Sequence, residues 1–294
     1  AAFTLFDACK EWLEERGMEA MDGPVNFGDR DRWWGLLVDG YSPPNYCMPY
    51  NSPYYRELFE SYGFKNYFKQ YTYYRDLVNE ETLSEIIREK AERISRNPEY
   101  HFSHIDKRNM PKVVKDFQTI FNKAWAKFPG VKPISNLHAK ALLKSMKPIL
   151  DERLVWFGFH NDEPIAFFIM LPEINQIVKY LNGKLDLLRK IKFVIHRKIL
   201  KTCNKAFGVI FGVVPEHQAR GVEGALVMAF AAEAAKPDFY YTDLEMNWIG
   251  DFNPSMMRVA EQIGGKIIKT HITYRYLFDR KREFHRMKKV NLRE

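Results

Sequence analysis

The stretch from Ala206 to Ala235 constrains the fold of this chain more than any other. Ala206 to Val214 is an apolar, glycine-bearing run, Pro215 to Arg220 has the composition of a turn, and Gly221 to Ala235 is rich in alanine. A short apolar run bounded by breakers reads as a buried strand, and the Ala-rich segment reads as a helix. A strand that enters a helix through a tight turn leaves free backbone N–H groups at the positive end of the helix dipole. Such a junction is ready to hold an anion. Many α/β crossovers contain one, so its weight comes from its surroundings.

Those surroundings are regular. Val113/Val114, Phe117, Ile120/Phe121 and Trp125 form one helical face, and Leu137 to Leu143 another. Leu154 to Phe159 and Pro164 to Leu171 are apolar runs joined by His160-Asn161-Asp162-Glu163, a hairpin signal. After the Ala-rich helix come a strand from Phe239 to Trp248, a helix from Asn253 to Ile263 closed by Gly264-Gly265, and a strand pair over Lys266 to Phe278. The order α α β β β α β α β predicts an α/β (α+β) domain, a mixed central sheet flanked by helices. A basic amphipathic stretch, Lys184 to Lys201, is inserted before the junction.

The first part of the chain is less complete. It opens inside an amphipathic helix (Ala2, Leu5/Phe6, Cys9, Trp12/Leu13) that Gly17 stops, and its first residue is Ala1. This reads as a fragment with sequence missing upstream. Short-strand material around Val25 and Gly35 to Val38 follows, then a helix begun by Ser52-Pro53 and ended by Gly63, then an aromatic strand from Lys65 to Tyr74. Thr82-Leu83-Ser84-Glu85 is a capping box that opens a charged connecting helix. The expected division is 1–78 as half a domain, 79–103 as a helical connector, 104–280 as a complete domain and 281–294 as a basic tail.

Composition narrows the function classes. With 46% hydrophobic and 28% charged residues the chain is globular rather than disordered. No segment approaches the roughly 18 uninterrupted apolar residues of a membrane span, so no transmembrane segment is expected. Cys9, Cys47 and Cys203 are scattered, which rules out a disulfide framework and metal-ligand spacing, so no metal is expected and the reducing cytoplasm is the default location. A net charge of +8 favours phosphate-bearing partners: nucleic acid, a nucleotide cofactor or an anionic membrane surface.

Gln218-Ala219-Arg220-Gly221-Val222, after a strand ending in Val213-Val214-Pro215, resembles the coenzyme A pyrophosphate loop of the GNAT superfamily of acyl-CoA N-acyltransferases. Glu245-Met246-Asn247-Trp248-Ile249 and Asn253-Pro254-Ser255-Met256-Met257-Arg258 are similar to that family's next strand and Asn-led helix. The resemblance spans about Ile105 to Phe278. Trp12 to Met18, Gly23-Pro24-Val25-Asn26 and Asn51 to Phe64 look like the C-terminal half of a second such domain, as in uncharacterised bacterial tandem-GNAT proteins. The resemblance implies a GNAT-like sheet and acetyl-CoA or another acyl-CoA as co-substrate. It also implies transfer to the amine of a small-molecule or peptide acceptor by direct attack in a ternary complex.

The same resemblance implies site residues. Amides of Gln218, Ala219, Arg220, Gly221 and Val222 would hold the pyrophosphate, the N–H of Val213 or Val214 would stabilise the oxyanion, and Asn253 would cap its helix and touch the cofactor arm. Glu223 departs from the Gly or Ala usual there. It either points to solvent and leaves the amides free, or satisfies them itself and closes the site. Glu245 is the first candidate for the proton acceptor and Glu173 the second, with His217 nearby. Tyr274 is the candidate acid, because Ala260 stands where many members have a Tyr. Asn122 and Trp125 would border the acceptor site, and Asn26, Tyr50 and Asn51 would line an acceptor cleft. Two other functions fit the residues: an aminoacyl-tRNA-dependent transferase using the basic Lys184–Lys201 stretch, and a non-catalytic binding module.

Overall fold

The computed structural model describes residues 1–25, 35–78, 84–125 and 132–289. In chain order the elements are α1 (Ala2–Glu14), β1 (Ala20–Gly23), β2 (Leu36–Asp39), α2 (Tyr55–Tyr62), β3 (Lys65–Asp76), α3 (Glu85–Ser95), β4 (Tyr100–His104), α4 (Met110–Ala124) and α5 (Asn136–Met146). Then follow β5 (Val155–His160), β6 (Glu163–Pro172), α6 (Asn175–Val178), α7 (Leu187–Val194), β7 (Lys205–Val213), α8 (Val222–Ala234), β8 (Asp243–Gly250), α9 (Pro254–Gln262) and β9 (Lys266–Leu277). The chain is mixed α/β with a mostly antiparallel sheet flanked by helices, as the sequence predicts. It divides into two compact units: Ala1–Tyr73 with Trp248–Arg258 and Ile267–Asn291, and Tyr74–Asn247 with Val259–Lys266 and Leu292–Glu294.

The first unit closes around β9. β1 pairs with β9 antiparallel from Ala20↔Leu277 to Gly23↔Tyr274, and β2 pairs with it from Leu36↔Ile272. Met21, Leu36, Phe59, Phe64, Ile272 and Tyr274 form the core, and Phe6 and Leu13 of α1 pack onto it. An Asp22 carboxylate takes two hydrogen bonds from Arg275, at 2.6 and 2.7 Å, and the guanidinium lies 3.6 Å over the Tyr67 ring. A cavity of about 310 Å³ opens between α1, α2 and β2, walled by Leu5, Phe6, Leu36, Tyr55, Leu58 and Phe59. The expected strand pair over Lys266–Phe278 is one uninterrupted strand. Lys269 and His271, although polar, are buried inside the sheet.

In the second unit β4, β5, β6 and β7 run antiparallel in that order, and β8 joins β7 in parallel. The β5–β6 hairpin turns at Asn161 and Asp162, both left-handed (φ 47° and 64°), the geometry favoured for a two-residue turn. Helices cover both faces. Phe117 of α4 stacks on Phe167, and Phe230 of α8 meets Trp156 and Phe168 edge-on. α3 lies against α8 through Ala91, Ile94 and Ala225. β4 falls within the stretch expected to be purely helical connector. Only Tyr100 and Phe102 alternate inward along its five residues, too short a period to stand out, and it pairs on one side only, with β5.

Candidate active site

β7 and β8 are in register only from Lys205↔Asp243 to Gly208↔Met246. Beyond Gly208 the ladder stops, and Val209 to Val213 of β7 continue without a registered β8 partner. On the other edge of β7, Ile169 opposes Ile210 while Met170 opposes Gly208, so Val209 is an extra residue. A bulge of this kind bends a strand and re-aims its amides. Val209 is 40% exposed although it lies in mid-strand. The sequence carries no signal for it beyond the neighbouring glycine.

The strand then enters the loop. Val214 N–H donates to Ile165 O at 2.9 Å, which extends the β6 pairing and commits that amide. Of the two amides expected to hold an oxyanion, Val214 is therefore already used. Val213 O accepts from Gln218 Nε2 at 2.9 Å, so the Gln218 side chain braces the loop rather than facing outward. Pro215–His217 form a single 3₁₀ turn. Ala219 and Gly221 are left-handed (φ 59° and 103°), and Gly221 caps α8. Ala225 N–H donates to Gly221 O, so the amides of Val222, Glu223 and Gly224 precede the first helical bond and form the donor end of the helix.

Glu223 turns toward the loop. Its Oε1 accepts from Ala219 N–H at 3.3 Å, so the carboxylate folds back onto the loop and takes one of its amides. Cations ring the same loop. Arg93 Nη2 donates to Arg220 O at 2.9 Å, and a Cβ placed on Gly221 would meet Lys90 at 3.1 Å. Arg220, Arg93 and Lys90 are all exposed. His217 Nδ1 and Tyr100 OH are 3.0 Å apart, and the His160 ring lies 4.9 Å from that of His217. Burial holds His217 below the usual imidazole range, and His160 and Arg220 push it the same way. This Tyr100–His160–His217 group was not found from sequence, because it joins three segments far apart in the chain.

The candidate acids and bases divide between the units. Glu245, 3% exposed on β8, is ion-paired through Oε1 with Lys205 Nζ and stands opposite Phe207, next to the end of the β7–β8 ladder. Glu173, 2% exposed, accepts from Asn175 N–H at 2.8 Å, and its own N–H donates to Lys205 O. It closes the turn after β6. Cys203 Sγ donates to Glu173 O, and burial pushes its thiol up to about 12, which leaves it a poor nucleophile. Tyr274 lies in the core of the first unit, stacked on Phe59, with its hydroxyl donating to Glu60 at 3.0 Å. Burial and that bond push its pKa up, so its proton is firmly held there.

Asn253 Oδ1 accepts from Met256 N–H at 3.2 Å, the helix cap that the Asn-Pro pair predicts. Asn122 exchanges hydrogen bonds with the backbone of Ile134, and Trp125 stacks on Phe121. Asn51 does the same with Leu37, pinning β2, and with Tyr50 it borders the apolar cavity of the first unit. Asn26 lies outside the described residues. Among the described residues no three His, Cys, Asp or Glu side chains gather to hold a metal ion, and no helix is long and apolar enough to cross a membrane.

No protein-family model matches the chain. It is 28% identical over 273 residues to the bacterial ceramide synthase of Caulobacter vibrioides, covering 92% of this chain and 70% of that protein. Its fold is similar to the GCN5-related glucosamine N-acetyltransferase region of a fungal multi-domain β-N-acetylglucosaminidase (TM-score 0.51, 12% identity, 93% of this chain and 27% of that one). It is also similar to a GCN5-related N-acetyltransferase from Sphaerobacter thermophilus (TM-score 0.50, 10% identity, 94% of this chain and 67% of that one). The interrupted β7–β8 ladder, the loop that leads into α8 and these likenesses identify the chain as carrying the GCN5-related N-acetyltransferase (GNAT) fold.

Proposed function

We propose that this chain is an N-acyltransferase that moves a fatty acyl group from an acyl-CoA thioester to the amine of a long-chain amino alcohol. The observation that carries the reading is the end of the β7–β8 ladder at Gly208, on the strand that leads into a loop with a helix N-terminus and a rim of cations. The class of acceptor rests on the relative named a ceramide synthase, since a ceramide is the amide of such an amine.

The reaction forms one C–N bond and breaks one C–S bond. The amine attacks the thioester carbon, loses a proton to a base, and the sulfur leaves as a thiol after gaining a proton. Glu245 is the preferred base, because it lies beside the ladder's end while Glu173 is engaged in its own turn. Lys205 orients the Glu245 carboxylate. Amides freed around the Val209 bulge and at Val213 are suited to an oxyanion, and the loop amides with Arg220, Arg93 and Lys90 are suited to a pyrophosphate.

The fit turns on Glu223. Its bond to Ala219 is long and exposed, worth about 1 kcal/mol or less, and a pyrophosphate that met several amides and cations would displace it. The same bond is what favours a second reading, a non-catalytic module whose old phosphate site is filled by its own side chain. Calorimetric titration of the chain and of Glu223→Ala with palmitoyl-CoA separates them. The transferase reading expects binding by both, tighter by roughly three- to tenfold in the variant, and amide formation from a long-chain amino alcohol. Binding by the variant alone would favour the non-catalytic reading, and absence of binding by both proteins would overturn the transferase reading.

A further inference from the structure

An ordinary surface helix turns its charges to water and its apolar side inward. α7 and the π-helical turn that continues it, Ile195–Ile199, instead leave an apolar stripe exposed. Leu187, Leu188, Ile191, Val194, Ile195 and Ile199 are all exposed, from 38% for Ile195 to 73% for Leu187. They form one stripe, and the wider π turn keeps Ile199 in line with Ile191 while it moves Lys198 to the edge.

The inward side holds the helix by polar contacts. Arg197, mostly buried, reaches Tyr240 OH, Ile149 O and Asp151. His196 stacks on Tyr180 at 4.5 Å and bonds Thr202. At the exposed start of the helix Asp186 caps the first turn and pairs with Arg189, which stabilises the helix itself. The apolar stripe is thus held outward by a specific set of bonds, not left over from a frayed segment. Lys190, Lys192 and Lys198 are exposed along its flanks, with Lys184 and Lys201 at its ends.

We infer that this helix docks in the interface of a bilayer that carries anionic lipid, with the leucine and isoleucine stripe among the acyl chains and the lysines at the headgroups. An exposed apolar stripe rimmed by cations is the pattern of interfacial helices, and each lysine near the surface adds to the attraction. A polynucleotide would need cations across the face, where this face offers hydrocarbon. The inference does not depend on the acyltransferase reading.

The test is flotation of the full chain with phosphatidylcholine vesicles, with and without phosphatidylglycerol. The chain should float with the anionic vesicles and remain largely below with the neutral ones. Leu188→Ser/Ile191→Ser should weaken flotation on the order of tenfold or more, while Leu137→Ser, at an exposed leucine on α5, should leave it unchanged. Since all three leucine and isoleucine side chains are exposed, the variants should keep the parent's circular dichroism. Equal flotation of the double variant and the parent would overturn the inference. So would a parent that ignores both kinds of vesicle, and so would a parent dimer that the double variant turns into a monomer without any vesicle binding.

Discussion

His271 shows how far one residue can depart from what its neighbours in sequence imply. Flanked by Lys269 and Thr270 it looks solvent-facing, yet it is fully buried in β9, and burial first, then Lys269, bring its pKa down to about 4. The unfolded chain therefore binds a proton at His271 near pH 6.5 that the folded chain refuses until about pH 4. Stability contributed by the neutral imidazole is complete above pH 6.5 and is lost as pH falls through that window, by about 3 kcal/mol in all. Urea titrations of the parent and of His271→Gln at several pH values should show the parent losing more stability between pH 7 and 4. Parallel curves would mean that His271 does not resist protonation. Glu223 teaches the same lesson: its identity flagged a departure from the pattern the loop resembles, but which amide it takes is a matter of rotamer, and no spacing rule reads rotamers.

Among the elements, those with a strong local signal were legible and those made by tertiary contact were not. The β5–β6 hairpin, α8 and the loop before it follow from turn chemistry and apolar period, and the structure places them within a few residues of the reading. β4 was missed because its inward pair, Tyr100 and Phe102, is too short a period to read, and β9 was read as two strands although the sheet accommodates Lys269 and His271 within one. The α3–α8 contact is another such feature, and it depends on two glycines. At Gly221 the backbone is left-handed and a Cβ would crowd Lys90 at 3.1 Å, whereas Gly224 has ordinary helical backbone and its Cβ would come 3.2 Å from Ile87 O. Gly221→Ala should lower stability by about 1–3 kcal/mol and weaken palmitoyl-CoA binding, because the helix start must shift. Gly224→Ala should cost less, since alanine's helix propensity offsets part of the crowding by about 1 kcal/mol. The urea midpoints of the two variants give the comparison, and equal losses would contradict the assigned role of the Gly221 turn.

For the molecule as a whole, the two units differ in how their contacts are spread along the chain. In the second, β5 and β6 are joined by two turn residues, and β7 returns to β6 after the segment that holds α6 and α7. In the first, Ala20 must find Leu277 and Leu36 must find Ile272 before Met21, Phe59 and Tyr274 have a common core. A sequence read locally has no access to such pairings, which is why 1–78 looked like half a domain: its missing sheet partner is β9, at the other end of the chain. The same spread has a kinetic consequence. Contacts that close long loops cost more entropy before they are rewarded, so they form later. In refolding followed by pulsed hydrogen exchange, amides of Val155–Pro172 should gain protection first and those of Ala20–Gly23 and Lys266–Leu277 last. A chain ended at Gly265 should keep protection in β5 and β6 but lose it in β1 and β2, because the strand both pair with is gone. Simultaneous protection of both units, or β1 protected without β9, would show that the first unit is held by something other than this long-range pairing.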